Sequence, residues 1–183
     1  ENQTEIEIAA VVHHAWPEFV DEQVRTFFER VDGRIRQKGI VFDAKSKLTR
    51  GKYGGVNWRR DAWEEGVSVA FEFEDTHYRS AGFGIRGLRE SAQQSSPHQR
   101  TIPDSLHRTL GEAAKSRKFD CLHYLKDYDW WPYGGDVIDL QGFGSLNTLF
   151  LLNGSPYLES TFEELLAQDI TNLLSIVDEV FGT

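Results

Sequence analysis

A change of hydrophobic period near Gly39 constrains the fold of this chain more than any other feature. Before it, Val20, Val24, Phe27, Phe28, Val31 and Ile35 recur at helical spacing. From Ile40 the period becomes two, with Phe42, Ala44, Ser46 and Leu48 on one face and Val41, Asp43, Lys45 and Lys47 on the other. Strand patterns return at 56–60, 67–73 and 78–86, separated by turn residues at Arg50-Gly51, Gly54-Gly55, Glu65-Gly66 and Asp75-Thr76. Parallel strands need long crossovers, so links this short predict an antiparallel meander. One of its faces should lie on helices and the other should meet water or a partner.

The helices are read from caps and spacing. Pro17 suits a first helical position, Asp21 and Glu22 follow it, and Gly39 is placed to end a helix over 17–38. Residues 4–14 suit a separate, shorter helix with Ile6, Ala9, Ala10 and His13 on one side. A third is predicted over 104–117 with Leu106, Leu110 and Ala113 inward, and Ser160 with Glu163 forms a capping-box pattern before a last amphipathic helix ending near Phe181. The polar segment 90–103 (ESAQQSSPHQRTIP) reads as an exposed, mobile loop. The fold class expected is α+β, one domain over 1–183, with a mainly antiparallel sheet of four or more strands packed by the N-terminal and C-terminal helices.

A chain of 183 residues, 39% hydrophobic and 13% aromatic, buries a core without disulfide or metal staples. Cys121 is the single cysteine and no apolar run is long enough to span a bilayer, so a cytoplasmic setting without membrane contact is expected. The absence of Met, initiator included, is expected of a trimmed chain, of a fragment of a longer protein, or of a sequence from which that residue type is missing.

Charge is distributed unevenly. Between Arg34 and Arg60 lie nine of the twenty Lys and Arg and one acid, Asp43, in a chain of net charge −9. Arg34, Arg36 and Lys38 answer the negative pole of the helix that precedes them. Lys45, Lys47, Arg50, Lys52, Arg59 and Arg60, interleaved with Tyr53, Trp58 and Trp63, suit a face that tracks nucleic-acid phosphate. The competing account pairs these cations with Glu72 and Glu74 across the sheet, or leaves them solvated.

Four other groups carry potential chemistry. Asp32 followed by Asp43-Ala44-Lys45 imitates a D...(D/E)xK pattern, in which two carboxylates hold Mg2+ and a lysine stabilises charge at phosphorus. Asp32 falls within a helical pattern, which opposes that reading. His13-His14 and Cys121-x-His123 concentrate soft ligands but lack zinc spacing, and no base or orienting group is evident for a cysteine nucleophile. No cofactor is implied. Within the string 128–136 (YDWWPYGGD), Trp130, Trp131 and Tyr133 suit a stacking pocket for a base, a sugar or a peptide. The alternative is that they anchor a loop in the core.

The order of elements also resembles a known family. A helix with Phe27-Phe28, a basic strand, Lys52-Tyr53-Gly54, a strand pair ending Ala81-Gly82-Phe83-Gly84-Ile85, and Trp130-Trp131-Pro132-Tyr133 before a final helix is similar to the C-terminal half of uncharacterised bacterial and phage PD-(D/E)XK nuclease-superfamily proteins. The similarity spans about 18–181, and the family's metal-binding carboxylates and lysine belong to a nuclease core that precedes this region. No catalytic residue is therefore carried over. The resemblance implies an accessory module, attached to or derived from a nuclease, that recognises nucleic acid, a partner or an invading element. Three functions follow as expectations: a noncatalytic recognition domain with its basic strand on phosphate, a divergent Mg2+-dependent nuclease using Asp43 and Lys45, or a protein or small-ligand sensor built on the Trp130 loop.

Overall fold

The computed structural model describes residues 2–35, 38–44, 48, 50–95, 100–137, 145, 148–149, 152–153, 156–157 and 160–182. The chain opens with one long helix, α1 (Asn2–Arg34), which has Pro17 inside it. The two helices expected on either side of that proline are therefore one. A proline removes one ladder hydrogen bond and crowds the preceding turn, and here the helical residues on both sides, with the second half buried, carry the helix through it. Val24, Phe27, Phe28 and Val31 are fully buried, whereas residues 3–15 are exposed throughout.

Strands β1 (Val41–Asp43), β2 (Gly54–Arg59), β3 (Ser68–Asp75) and β4 (Arg79–Arg86) then form the expected antiparallel meander. β1 is shorter than its alternation predicts. The amide of Leu48 bonds to the carbonyl of Ala44 at 3.1 Å, and residues 45–47 lie outside the described residues. Phe42 nonetheless stacks on Trp58 with ring centroids 5.4 Å apart, as its inward position requires.

After β4 come β5 (Leu88–Arg89), a 3-10 helix (Glu90–Ser95) and β6 (Thr101–Ile102), which pairs with β5 in parallel. Residues 90–103, expected as a loop, thus begin with a 3-10 helix and include β6 near their end, and Ile102 is fully buried. Residues 96–99 lie outside the described residues. Helix α2 (Asp104–Lys115) buries Leu110, Gly111 and Ala114. The hairpin of β7 (Leu122–Tyr128) and β8 (Trp131–Val137) adds to the sheet with β8 beside β4, giving six antiparallel strands in the order β1-β2-β3-β4-β8-β7.

A short antiparallel pair, β9 (Pro156–Tyr157) and β10 (Ser160–Thr161), leads into α3 (Phe162–Phe181). The capping box of α3 is Thr161 with Glu164, one residue later than the Ser160 and Glu163 pattern suggests. Both spacings fit the motif. The register follows from Glu163, which is drawn inward to Arg30 and Arg34 and so cannot reach back to a cap. Among the described residues no helix is long and apolar enough to cross a membrane.

Helices α1 and α3 pack on each other and on one face of the sheet. That face carries Val56, Trp58, Val69, Phe71, Phe73, Ala81, Phe83 and Ile85, all buried. Phe28 sits at the centre, 4.9 Å from the ring of Phe71 and in contact with Phe27, Trp58 and Phe73, while Phe27 stacks on Phe162 of α3. The other face lies away from these two helices.

Candidate binding face of the sheet

Cross-strand register assigns this second face. Gly55 of β2 stands opposite Glu72 of β3, Glu72 opposite Gly82 of β4, and Gly82 opposite Asp136 of β8. Asn57 and Ala70, then Gly84 and Gly134, continue the row beside it. Glycines therefore alternate with carboxylates along this face, and at the glycines the backbones approach closely. A Cβ on Gly84, whose φ is +158°, would stand 2.2 Å from the carbonyl oxygen of Tyr133, and one on Gly55 would stand 2.1 Å from that of Phe71. Only glycine fits such approaches.

Two sizeable cavities among the described residues lie over this face. One, of about 650 Å³, is lined by residues that include Asp43, Asn57, Arg59, Arg60, Asp61, Glu65, Ser68, Arg100, Arg86 and Trp130. The other, of about 470 Å³, is lined by Tyr53, Glu72, Glu74, Arg86, Tyr128, Asp129, Trp130 and Trp131. Arg86 and Trp130 belong to both. The guanidinium of Arg86 lies 5.8 Å from the Trp130 ring centroid and 3.4 Å from Glu72, and so forms the partition between them.

The hairpin turn explains how the tryptophans reach this face. Tyr128 pairs with Trp131, so Asp129 and Trp130 form a two-residue turn between β7 and β8. Backbone bonds from Gly87 to the carbonyl of Trp130 and from Arg89 to that of Asp129, both 2.9 Å, dock the turn on the strand that follows β4. Trp131 folds over Gly134, whose missing Cβ leaves room for the indole. Tyr133 goes the other way. It is 4% exposed, and its ring lies 5.3 Å from Phe119 on the helix side. The aromatic string is thus divided, with Trp130 and Trp131 on the face away from α1 and α3 and Tyr133 in the core, where burial and the charge of Asp169 push its hydroxyl pKa up.

The indoles differ in their hydrogen bonding. Trp58 donates to Asp32 at 3.1 Å and Trp63 donates to Asp178 at 2.9 Å, as buried tryptophans do. Among the described residues the indole N–H of Trp130 and that of Trp131 find no acceptor. Tyr53 closes the same cavity from the β1–β2 loop. Its ring is 61% exposed, its φ is +64°, and the ammonium of Lys52 stands 5.0 Å from its centroid. A non-glycine residue in that region is strained, and such strain concentrates at functional positions.

The basic residues are distributed differently from their expected face. Arg50 donates from Nε to both oxygens of Asp21, at 2.7 and 2.9 Å, and Tyr78 donates to the same carboxylate at 2.7 Å. Burial acts to raise the pKa of Asp21, but the bonds from Arg50 and Tyr78 outweigh it and hold the carboxyl below its ordinary value. Arg60 forks onto Asp178 of α3 at 2.7 and 2.8 Å and also donates to the carbonyl of Lys38. Arg59 meets Asp61 at 2.9 Å. Lys45 and Lys47 lie outside the described residues. The acids answering Arg50 and Arg60 come from the helices, and Glu72, expected to answer this hairpin, pairs with Arg86 instead.

The remaining motifs do not assemble. Asp32 bonds Trp58 on the helix side of β2, while Asp43 stands opposite Asn57 and lines the larger cavity, so the two carboxylates lie on opposite faces of the sheet. No group of three or more metal-ligating side chains occurs among the described residues. His13 and His14 are exposed on α1. Cys121 is buried, and burial together with Asp169 raises its thiol pKa far above that of a reactive cysteine. Asp169 accepts the backbone N–H groups of Asp120 and Cys121 at 2.9 and 2.7 Å and fixes the entry to β7.

The chain was compared with family models, with curated proteins and with solved structures. None of them matches it.

Proposed function

We propose that this chain is a recognition domain that binds its ligand on the sheet face opposite α1 and α3, around Trp130 and Trp131. The observation that carries the reading is the contrast among the indoles. Trp58 and Trp63 are buried and bonded to carboxylates, whereas Trp130 and Trp131 are half-buried, lack acceptors among the described residues, and line a cavity of about 470 Å³. Half-buried aromatic rings with open edges beside a few polar groups suit a ligand pocket.

The phosphate reading has weaker support. The four arginines that line the larger cavity, Arg59, Arg60, Arg86 and Arg100, each meet a carboxylate, respectively Asp61, Asp178, Glu72 and Glu65. A polyanion entering there would have to displace these partners. The nuclease reading lacks a common face for Asp32 and Asp43.

The test compares the wild-type chain with a Trp130→Ala/Trp131→Ala variant by thermal shift across a library of peptides, sugars and nucleotides. Ligands that raise the Tm of the wild type and leave the variant unmoved are expected. A library that treats the two alike would remove the reading.

A further inference from the structure

We infer that the ligand is an extended peptide bearing arginine or lysine, with one cationic head held between Trp131 and Glu74; the inference rests on the binding face proposed above. Four rings, Tyr53, Tyr128, Trp130 and Trp131, line the smaller cavity, and the face of an aromatic ring attracts cations. Of its three acids, Glu72 meets Arg86 and Asp129 meets Arg89, which leaves the charge of Glu74 without a cation among the described residues.

The chain's own cations show the same preference. Lys52 lies over Tyr53 and Arg86 over Trp130. Trp131 carries no such partner among the described residues. Neither does Glu74 have a hydrogen bond or ion pair among them, and its Oε1 reaches over Gly82, 3.7 Å from where a Cβ there would stand. A cation seated beside both would gain a ring face and a carboxylate together, an arrangement that an anion would find repulsive.

The shape favours a chain over a small molecule. The cavity adjoins the larger one across Arg86 and Trp130, so an extended ligand crossing that wall would meet acids and arginines that suit peptide groups and polar side chains. An extended peptide directs alternate side chains to one side, which allows an arginine at every second position to face the rings.

The experiment measures fluorescence anisotropy with a labelled, acetylated Arg-Gly repeat peptide, alongside a Glu-Gly repeat and a short oligo-dT. The Arg-Gly peptide should bind saturably. Its affinity should fall about tenfold in Trp131→Ala and in Glu74→Gln, each with unchanged circular dichroism. A Glu5→Gln/Glu7→Gln variant removes two charges from the exposed start of α1 and should keep full affinity. An equal fall in that variant, or no fall in Trp131→Ala, would reduce the binding to general attraction by an acidic chain and overturn the inference. Binding of Glu-Gly or oligo-dT through Trp131 would overturn the cationic ligand while leaving the binding face intact. Silence from all three probes would also overturn it, and the library comparison would then decide the face by itself.

Discussion

The indole of Trp131 lies on the bare Cα of Gly134: a Cβ there would stand 3.0 Å from Cε3 of the ring and 3.2 Å from the carbonyl oxygen of Phe83. The glycine is what allows the hairpin's second tryptophan to lie flat over the sheet, in the manner of an aromatic ring covering a strand glycine. The pair couples a backbone property of β8 to the wall of the cavity.

Gly134→Ala is therefore expected to displace the indole. The methyl group meets a carbonyl as well as the ring, so the fold should lose about 1–3 kcal/mol as an overpacked site does. Acrylamide quenching of tryptophan emission should rise as Trp131 lifts into solvent. Quenching equal to the wild type would show that the ring does not depend on Gly134.

Tyr53 makes the opposite prediction for stability. At φ +64° it occupies the left-handed region, which costs a side-chain-bearing residue about 1–2 kcal/mol and which asparagine tolerates better. Its ring is largely exposed, so Tyr53→Asn loses little packing. Urea denaturation should find the variant as stable as the wild type or up to about 1 kcal/mol more so, while binding at the Trp131 cavity weakens. Clear destabilisation would mean that the ring supports the fold.

Most of the architecture was legible because it depends on period. The Phe71-Phe73 alternation and the α3 stripe each specify one buried face, and the short links between β1 and β4 leave antiparallel pairing as the only topology. The places where local signals misled are those decided by distant residues. Pro17 marks a helix start only if nothing stabilises the turn before it. Ser160 and Thr161 offer equal capping boxes until Arg30 and Arg34 claim Glu163. The site was legible in part for the same reason. Trp130 and Trp131 were evident as an unusual string, but Tyr133 differs from them only by its side of the strand. For the basic cluster, linear charge does not show that Asp21 and Asp178 are brought to Arg50 and Arg60 from α1 and α3. The approach of Glu74 to Gly82 gave no linear signal, since it is a relation across two strands.

Acid should loosen the contact between α1 and α3. Burial acts to raise the pKa of Glu163, but hydrogen bonds from Arg30 and Arg34 outweigh it and lower the pKa below its ordinary 4.5. A carboxyl whose folded pKa is depressed adds stability above its unfolded value, and that stability disappears as pH falls through the folded value. Asp21 follows the same rule from an ordinary 3.8. Unfolding free energy should therefore decline as pH drops below about 4.5, and Glu163→Gln should flatten that decline. The substitution should also cost about 2 kcal/mol near neutrality, through loss of charge-assisted bonds. A variant with the wild-type acid profile would show that Glu163 does not control it.

Arg59 and Arg60 are adjacent in sequence, and the structure separates them. Arg60 is half-buried, and its guanidinium holds Asp178, whose Oδ1 also accepts the indole N–H of Trp63; the β2 end, the loop after it and α3 meet there. Arg59 is exposed and touches Asp61, two residues on in the same loop. Arg60→Glu would place a carboxylate against Asp178 and leave Trp63 competing for a repelled partner, so a loss of about 3–5 kcal/mol is expected, as when one member of a buried pair is removed. Arg59→Glu should stay within about 0.5 kcal/mol of the wild type. If the two arginines instead served one phosphate-binding face, both reversals would leave the Tm unchanged and both would reduce the affinity for oligo-dT. Thermal denaturation of the two variants side by side decides between a clamp on α3 and a surface for a polyanion.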